Sequence, residues 1–315
     1  MTGSLRSQRE STGVPRIPRR QALAVAGGLA ALSRVAAEDN RWRPSFILSS
    51  ALYGDSSLRE ILPEVARTGC DSIDLWPKPH GTQREEVDSV GPDRVREWLR
   101  EHRVRLGSIA CYKPGPFALA GEFDVATRLG AERVVLVTSC PGDGSLTGDP
   151  LDRAIRGFFE RLSPSIAAAA KAGGLIAVEN HANSLLKSPE AIRRFVSLID
   201  DERVGIALAP HHLPQEPTLL AELAGDIGGR LLFVYAQQHG RGAWEKVAKQ
   251  EELLQMPGRG PLDFGPLMRQ LSSMRFSGPI EIFMHPTPRG VPILDTIDAV
   301  SAEVNRSRSY LEGLV

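Results

Sequence analysis

The chain has 315 residues, 42% of them apolar and 24% charged, the balance of a globular protein that buries a large core. Its 38 Lys and Arg offset 38 Asp and Glu, so no basic stripe is left to follow phosphates and nucleic acid is not an expected partner. Cys70, Cys111 and Cys140 are an odd count with no Cys-x-x-Cys spacing, which excludes a disulfide framework and a zinc ribbon.

The first forty residues read differently from the rest. "PRIPRRQALAVAGGLAALSRVAAEDN" has a basic front, an uncharged run from Ala22 to Ser33 and small residues before Glu38. That is the layout of an export signal, and the adjacent Arg19 and Arg20 point to the twin-arginine route, with residues 1–37 removed. The run is shorter than the roughly 20 apolar residues that span a bilayer, and no Cys follows it to carry a lipid, so no stable membrane anchor is expected. The reading predicts a periplasmic or extracellular protein, cytoplasmic if the segment is not a signal; homo-oligomerisation is left open.

From residue 38 to 315, β-rich runs alternate with amphipathic or Ala-rich helical stretches. In chain order the runs are "SFILSSALYG", "CDSIDLWP", "VRLGSIACY", "RVVLVTSC", "GLIAVENH", "VGIALAPHH", "LLFVYAQQHG" and "GPIEIFMHP". Gly69, Gly130, Gly173 and Gly278 stand where helices should stop. Eight such units predict one domain, a (β/α)8 TIM barrel of the α/β class. An open doubly wound sheet is disfavoured, because no Gly-rich phosphate loop follows the first run.

Active sites of this architecture form at the carboxyl ends of the strands. Six of the seven histidines fall there: His80, His181, His211, His212, His239 and His285, with only His102 in a helix. Glu179 joins them in "AVENH" as a carboxylate in an apolar strand, where burial without a partner costs several kcal/mol. Imidazole plus carboxylate suits a divalent Zn, Mn, Co or Fe ion, with Asn180, Asn183, Gln237 and Gln238 as supporting hydrogen-bonding groups. The other reading of these residues is a pocket that binds a polyol without metal. Lys113 in "CYKPGP" and Arg289 in "HPTPRG" are candidate anion contacts at the mouth, and Trp76 is a candidate sugar-stacking surface.

"AKAGGLIAVENH", with "TGCDSIDLWP" before it and "PGRGPLDFGPLMRQLSSMRFSGPIEI" after it, resembles the xylose-isomerase-like sugar phosphate isomerase and epimerase superfamily. The resemblance covers nearly everything from residue 44 onward. It implies a barrel holding one divalent metal through Glu, Asp, His and Glu on strands five to eight, and proton transfer or dehydration on a sugar or polyol. Glu179 matches the strand-five ligand, Asp74 a substrate-contacting acid on strand two, and His212 a substrate-contacting His after strand six. The other three ligand positions are Ala209, Tyr235 and Phe283, so two-base epimerisation loses its second carboxylate.

Strand parity suggests a replacement. Two residues beyond Ala209, Phe283 and Glu179 stand His211, His285 and His181, and four beyond Tyr235 stands His239, each on the inward face if the strands continue. The expectation is a metal one layer nearer the mouth, held by Glu179 or His181 with His211, His239 and His285, while Glu179, His212 and Lys113 act on the substrate. Asp74, Trp76, Asn180, Gln237, Gln238 and Arg289 would bind it. The function expected is an exported sugar or polyol isomerase, epimerase or lyase using metal-assisted proton transfer. The alternatives are a carbohydrate-binding barrel without a metal and, less in keeping with the neutral charge, a phosphodiesterase of the endonuclease IV kind.

Overall fold

The structure is a computed structural model that describes residues 1–3 and 41–315. The signal reading of residues 1–37 therefore lies, after the first three, outside the described residues. Arg43–Val315 form one compact unit.

Eight strands are present: β1 Ser45–Ser49, β2 Ser72–Leu75, β3 Arg105–Ala110, β4 Val135–Ser139, β5 Leu175–Glu179, β6 Val204–Leu208, β7 Leu231–Ala236 and β8 Pro279–Ile282. Each pairs in parallel with the next, and β8 returns to β1, so the sheet closes into the TIM barrel that the alternation predicts. The strands are apolar runs rather than alternating ones because both faces are covered, one by helices and one by the barrel interior. In β6 every residue is buried. Gly205 is required there, since a Cβ would come within 2.2 Å of the carbonyl oxygen of Arg230.

The outer layer consists of α1 Leu58–Arg67, α2 Gln83–Val90, α3 Pro92–His102, α4 Ala120–Arg128, α5 Gly148–Ala172, α6 Pro189–Leu198, α7 Pro217–Ile227, the short α8 Lys249–Glu252, α9 Gly265–Ser273 and α10 Ile297–Glu312. Helix α2 is an addition to the expected pattern. It is separated from α3 by Gly91 at φ 93° followed by Pro92, a start signal that overrides the continuous polar sequence. Gly69, Gly130 and Gly173 stop their helices at φ 71°, 82° and 68°. Gly278 has a different role: α9 is ended by Arg275 at φ 49°, while a Cβ on Gly278 would lie 2.5 Å from the carbonyl oxygen of Leu232. No described helix is long and apolar enough to cross a membrane.

The barrel interior carries a polar layer. Register places Ser49 beside Asp74, Asp74 beside Ser108, and Tyr235 beside Glu281. Asp74 and Glu281 are completely buried and close enough to perturb each other. Strand β1 stands between β2 and β8, so they meet through the interior. Burial pushes both carboxyls well up, since neither charge finds a cationic partner.

Candidate active site

Five imidazoles form a continuous row across the barrel mouth. His80 lies 5.2 Å from His285 between ring centroids, His285 5.6 Å from His211, His211 4.0 Å from His212, and His212 4.0 Å from His181. The adjacent pair does not send one ring to each face of a strand. Strand β6 ends at Leu208, and Pro210–His212 make a 3-10 turn. A turn of three residues rotates successive side chains by about 120° rather than 180°, so both rings stay on the mouth side. The parity argument for His211 thus fails in its premise.

Glu179 ends β5 below this row. One of its carboxylate oxygens, one ring nitrogen of His211 and one of His212 all lie within 4.8 Å of one another. Nε2 of His212 lies 3.9 Å from Oε1 of Glu179. This is not an ion pair. Burial pushes the Glu179 carboxyl up to about 8, against the opposing pull of the Tyr112 hydroxyl. Burial, reinforced by His181 and His239, pushes His212 down to about 3. Both groups are therefore neutral near pH 7 in the absence of a cation.

His211 carries the observation that points to a metal. It is buried, and neither ring nitrogen has a hydrogen-bond partner. Burial and the flanking imidazoles hold it well below the usual histidine range, so it keeps a free lone pair. Two neutral imidazoles with lone pairs and one carboxyl that a cation would ionise are a donor set that fits a divalent ion of the zinc type.

The remaining expected residues fall into three groups. His181 lines a cleft of about 350 Å³ together with Glu179, His80, Tyr112, Ser139 and Asn183. Its Nδ1, like that of His285, is already engaged, by the backbone N–H of Asn183 at 3.0 Å and by Nε2 of Gln237 at 3.0 Å respectively. His239 is set against Trp244, 4.7 Å between centroids. The converging set is Glu179, His211 and His212; of the shell that parity suggests, Glu179 and His211 are in it, and His181, His239 and His285 are not.

Several expected substrate contacts serve the scaffold. Asn180 bridges β5 to β6, accepting from the Ala209 N–H at 2.7 Å and donating to its carbonyl at 2.9 Å. It thereby fixes the chain where relatives of the resembled superfamily carry Asp. Gln238 holds the following loop through Met256 and Leu262. Arg289 donates to the carbonyls of Pro286 and Ala243. Lys113 is exposed and pairs with Glu85 at 3.2 Å. Asp74 lies in the interior layer with no exposed surface. Trp76 is buried flat on Phe283 at 4.6 Å and 12°, leaving an edge on a second cleft with His80 and Lys113.

Sequence reasoning passed over Tyr112, although it stands beside Lys113 in the quoted turn. Its hydroxyl meets that of Tyr235 at 3.0 Å. Tyr235, read above as a lost ligand, is thus the base of a phenolic pair bordering the Glu179 carboxyl. Gln255, in the loop before α9, was also passed over; it anchors the Gln237 and His285 contacts.

A closed barrel with a carboxyl and imidazoles gathered at its strand ends defines the class of protein: a TIM-barrel protein with a mouth-side polar site. The sequence matches the xylose isomerase-like TIM barrel family over residues 62–302, and the chain belongs to that family. Among solved structures it is similar to the IOLI protein with a bound zinc atom, at 15% identity and a TM-score of 0.66 over 85% of this chain and 98% of that one. A D-allulose 3-epimerase from Methylomonas sp. in complex with D-allulose gives 15% identity and 0.64 over 87% and 98%. The probable 3-DHS dehydratase AsbF from Bacillus anthracis gives 10% and 0.59 over 82% and 97%. No curated protein matches the chain in sequence.

Proposed function

We propose that the protein is a metal-assisted sugar or polyol isomerase or lyase in which Glu179 moves a proton at the carbon next to a carbonyl. The carrying observation is the convergence of Glu179 with His211, whose two buried ring nitrogens have no other partner. Glu179, His211 and His212 would hold the divalent ion; when bound, such an ion polarises a carbonyl oxygen and acidifies the neighbouring C–H.

The chain's own groups set the rest. The Glu179 carboxyl lies at the convergence with His211 and His212, and the ion held there would keep it ionised, the form that a base taking a proton needs. The Tyr112 and Tyr235 hydroxyls border this carboxyl, and Phe283 and Trp76 stack as a buried aromatic wall of the barrel mouth. A second carboxylate for the opposite face of a substrate is lacking among these residues, because Phe283 occupies that position. One base that returns the proton to the same face, or passes it to a leaving hydroxyl, suits isomerisation or elimination better than inversion. Among the similar structures, the probable dehydratase is named for the elimination branch, whereas the epimerase is named for the inversion that a single base serves less well. The twin-arginine-like start supports an exported location, and hence a substrate without phosphate.

The test is deuterium exchange. The protein, supplied with Zn²⁺ or Mn²⁺, is incubated in D₂O with a panel of ketohexoses and sugar acids, and incorporation next to the carbonyl is read by NMR. Exchange that falls at least about 10²-fold in Glu179→Gln supports the reading. Binding without exchange under every metal would instead make this a carbohydrate-binding barrel.

A further inference from the structure

The tautomers of two histidines at the mouth are fixed by their neighbours. At His181 the donor to Nδ1 is a backbone N–H, that of Asn183, and a backbone N–H can only donate. Nδ1 is therefore the lone-pair nitrogen, and the ring proton of the neutral imidazole is on Nε2.

At His285 the argument runs through two amides. Gln255 donates from Nε2 to the carbonyls of Glu252 and His285, at 3.1 and 2.9 Å, and accepts at Oε1 from the His285 N–H at 3.1 Å. Backbone groups on both ends leave its amide one orientation. Its Oε1 also receives Nε2 of Gln237 at 2.8 Å, which orients the second amide. The same Gln237 nitrogen faces Nδ1 of His285 at 3.0 Å, so this ring too carries its proton on Nε2. Both rings sit beside the converging set, His181 against His212 and His285 against His211.

We infer that His181 and His285 are not metal ligands but neutral Nε2–H donors that bracket the Glu179, His211 and His212 site and recognise a substrate with two neighbouring oxygens, such as an α-hydroxy ketone. Gln237 and Gln255 are positioning residues acting through His285. The function of the donors rests on the proton-transfer reading above; the tautomers do not. As a carbonyl oxygen gains charge when the adjacent C–H is broken, fixed N–H donors strengthen their bonds to it without reorganising.

The experiment is ¹⁵N NMR of histidine-labelled protein with two variants. In the unmodified protein His285 and His181 should show pyrrole-type Nε2 and pyridine-type Nδ1. Gln237→Glu replaces the amide donor with a carboxylate acceptor and should move the His285 proton to Nδ1, leaving His181 unchanged. Glycolohydroxamate, a planar mimic of two adjacent oxygens, should bind Gln237→Glu about 10- to 100-fold more weakly, the loss expected for one donor to a charged group. Gln237→Asn, which keeps an amide, should recover part of that loss. An Nδ1–H tautomer of His285 in the unmodified protein, or hydroxamate binding unchanged in Gln237→Glu, overturns the inference. A failure of the proton-transfer reading shows itself separately, as exchange insensitive to Glu179→Gln with the tautomers as stated.

Discussion

The indole Nε1–H of Trp76 donates a 3.0 Å hydrogen bond to Oε1 of Glu281. The same indole is stacked on Phe283, two residues further along the chain. Trp76 therefore caps the interior acid pair of Asp74 and Glu281 from below the aromatic floor of the mouth. This explains how a buried carboxyl layer and an imidazole layer coexist in one barrel: the polar edge of the indole serves one and its apolar face separates the other.

The acid pair predicts a pH dependence of stability. Both carboxyls titrate above their ordinary range because burial penalises their charge. Above about pH 4 the folded state thus holds more protons than the unfolded state, and this pair's contribution to stability falls as pH rises. Glu281→Gln removes one of the two groups and keeps the acceptor for Trp76. Urea unfolding at pH 5 to 8 should show a shallower decline, by up to about 1.4 kcal/mol per pH unit. Identical slopes in the two proteins would show that the pair does not retain its proton.

Phe283→Glu tests whether the missing family carboxylate can be put back. Phe283 is 1% exposed and in contact with Trp76, Tyr235 and His285. The substitution removes this packing and adds a carboxyl close to Glu281, so a loss of about 3–5 kcal/mol is expected. Thermal unfolding with and without Zn²⁺ measures it. A variant as stable as the parent in the metal-free state would contradict the packing argument.

Two basic residues that look alike in sequence should differ in consequence. Lys113 makes an exposed pair with Glu85, and Lys113→Ala should change stability by no more than about 0.5 kcal/mol. Arg289 ties the loop after β8 to Ala243 through two carbonyls. Arg289→Ala should cost about 1–3 kcal/mol and raise amide exchange at residues 240–244 and 286–290. Equal effects of the two substitutions would refute the distinction.

The barrel was legible because each strand is a short aliphatic run closed by a polar end, a pattern that burial on two faces imposes along the whole chain. Glu179 was legible for the same reason, as a charge that an apolar strand does not tolerate alone. What happens after the strands was less so. The period-two rule holds only while the backbone is extended, and Pro210 turns the chain before His211, so parity could not say where that ring goes. Asn180, Gln238 and Arg289 look like ligands in sequence because polar side chains at strand ends serve loops as readily as substrates. Gln255 lies 18 residues beyond Gln237, and only the fold of the intervening loop, anchored by Gln238 on Met256, brings the two amides together.

The metal assignment makes the sharpest separation among the histidines. His211 has two buried nitrogens without partners beside Glu179 and His212, whereas His239 packs on the exposed Trp244 outside that set. Removing a first ligand costs more than the 10- to 100-fold attached to the loss of a supporting contact. His211→Ala should therefore weaken Zn²⁺ binding by more than about 100-fold, and His239→Ala should leave it within a few-fold of the parent, in competition with a chromophoric chelator. Binding should also fall as pH is lowered, because the proton on Glu179 and protons on the two imidazoles compete with the ion for the same lone pairs. If zinc affinity instead fell as steeply in His239→Ala as in His211→Ala, the ion would sit nearer the rim, in the layer that strand parity suggested.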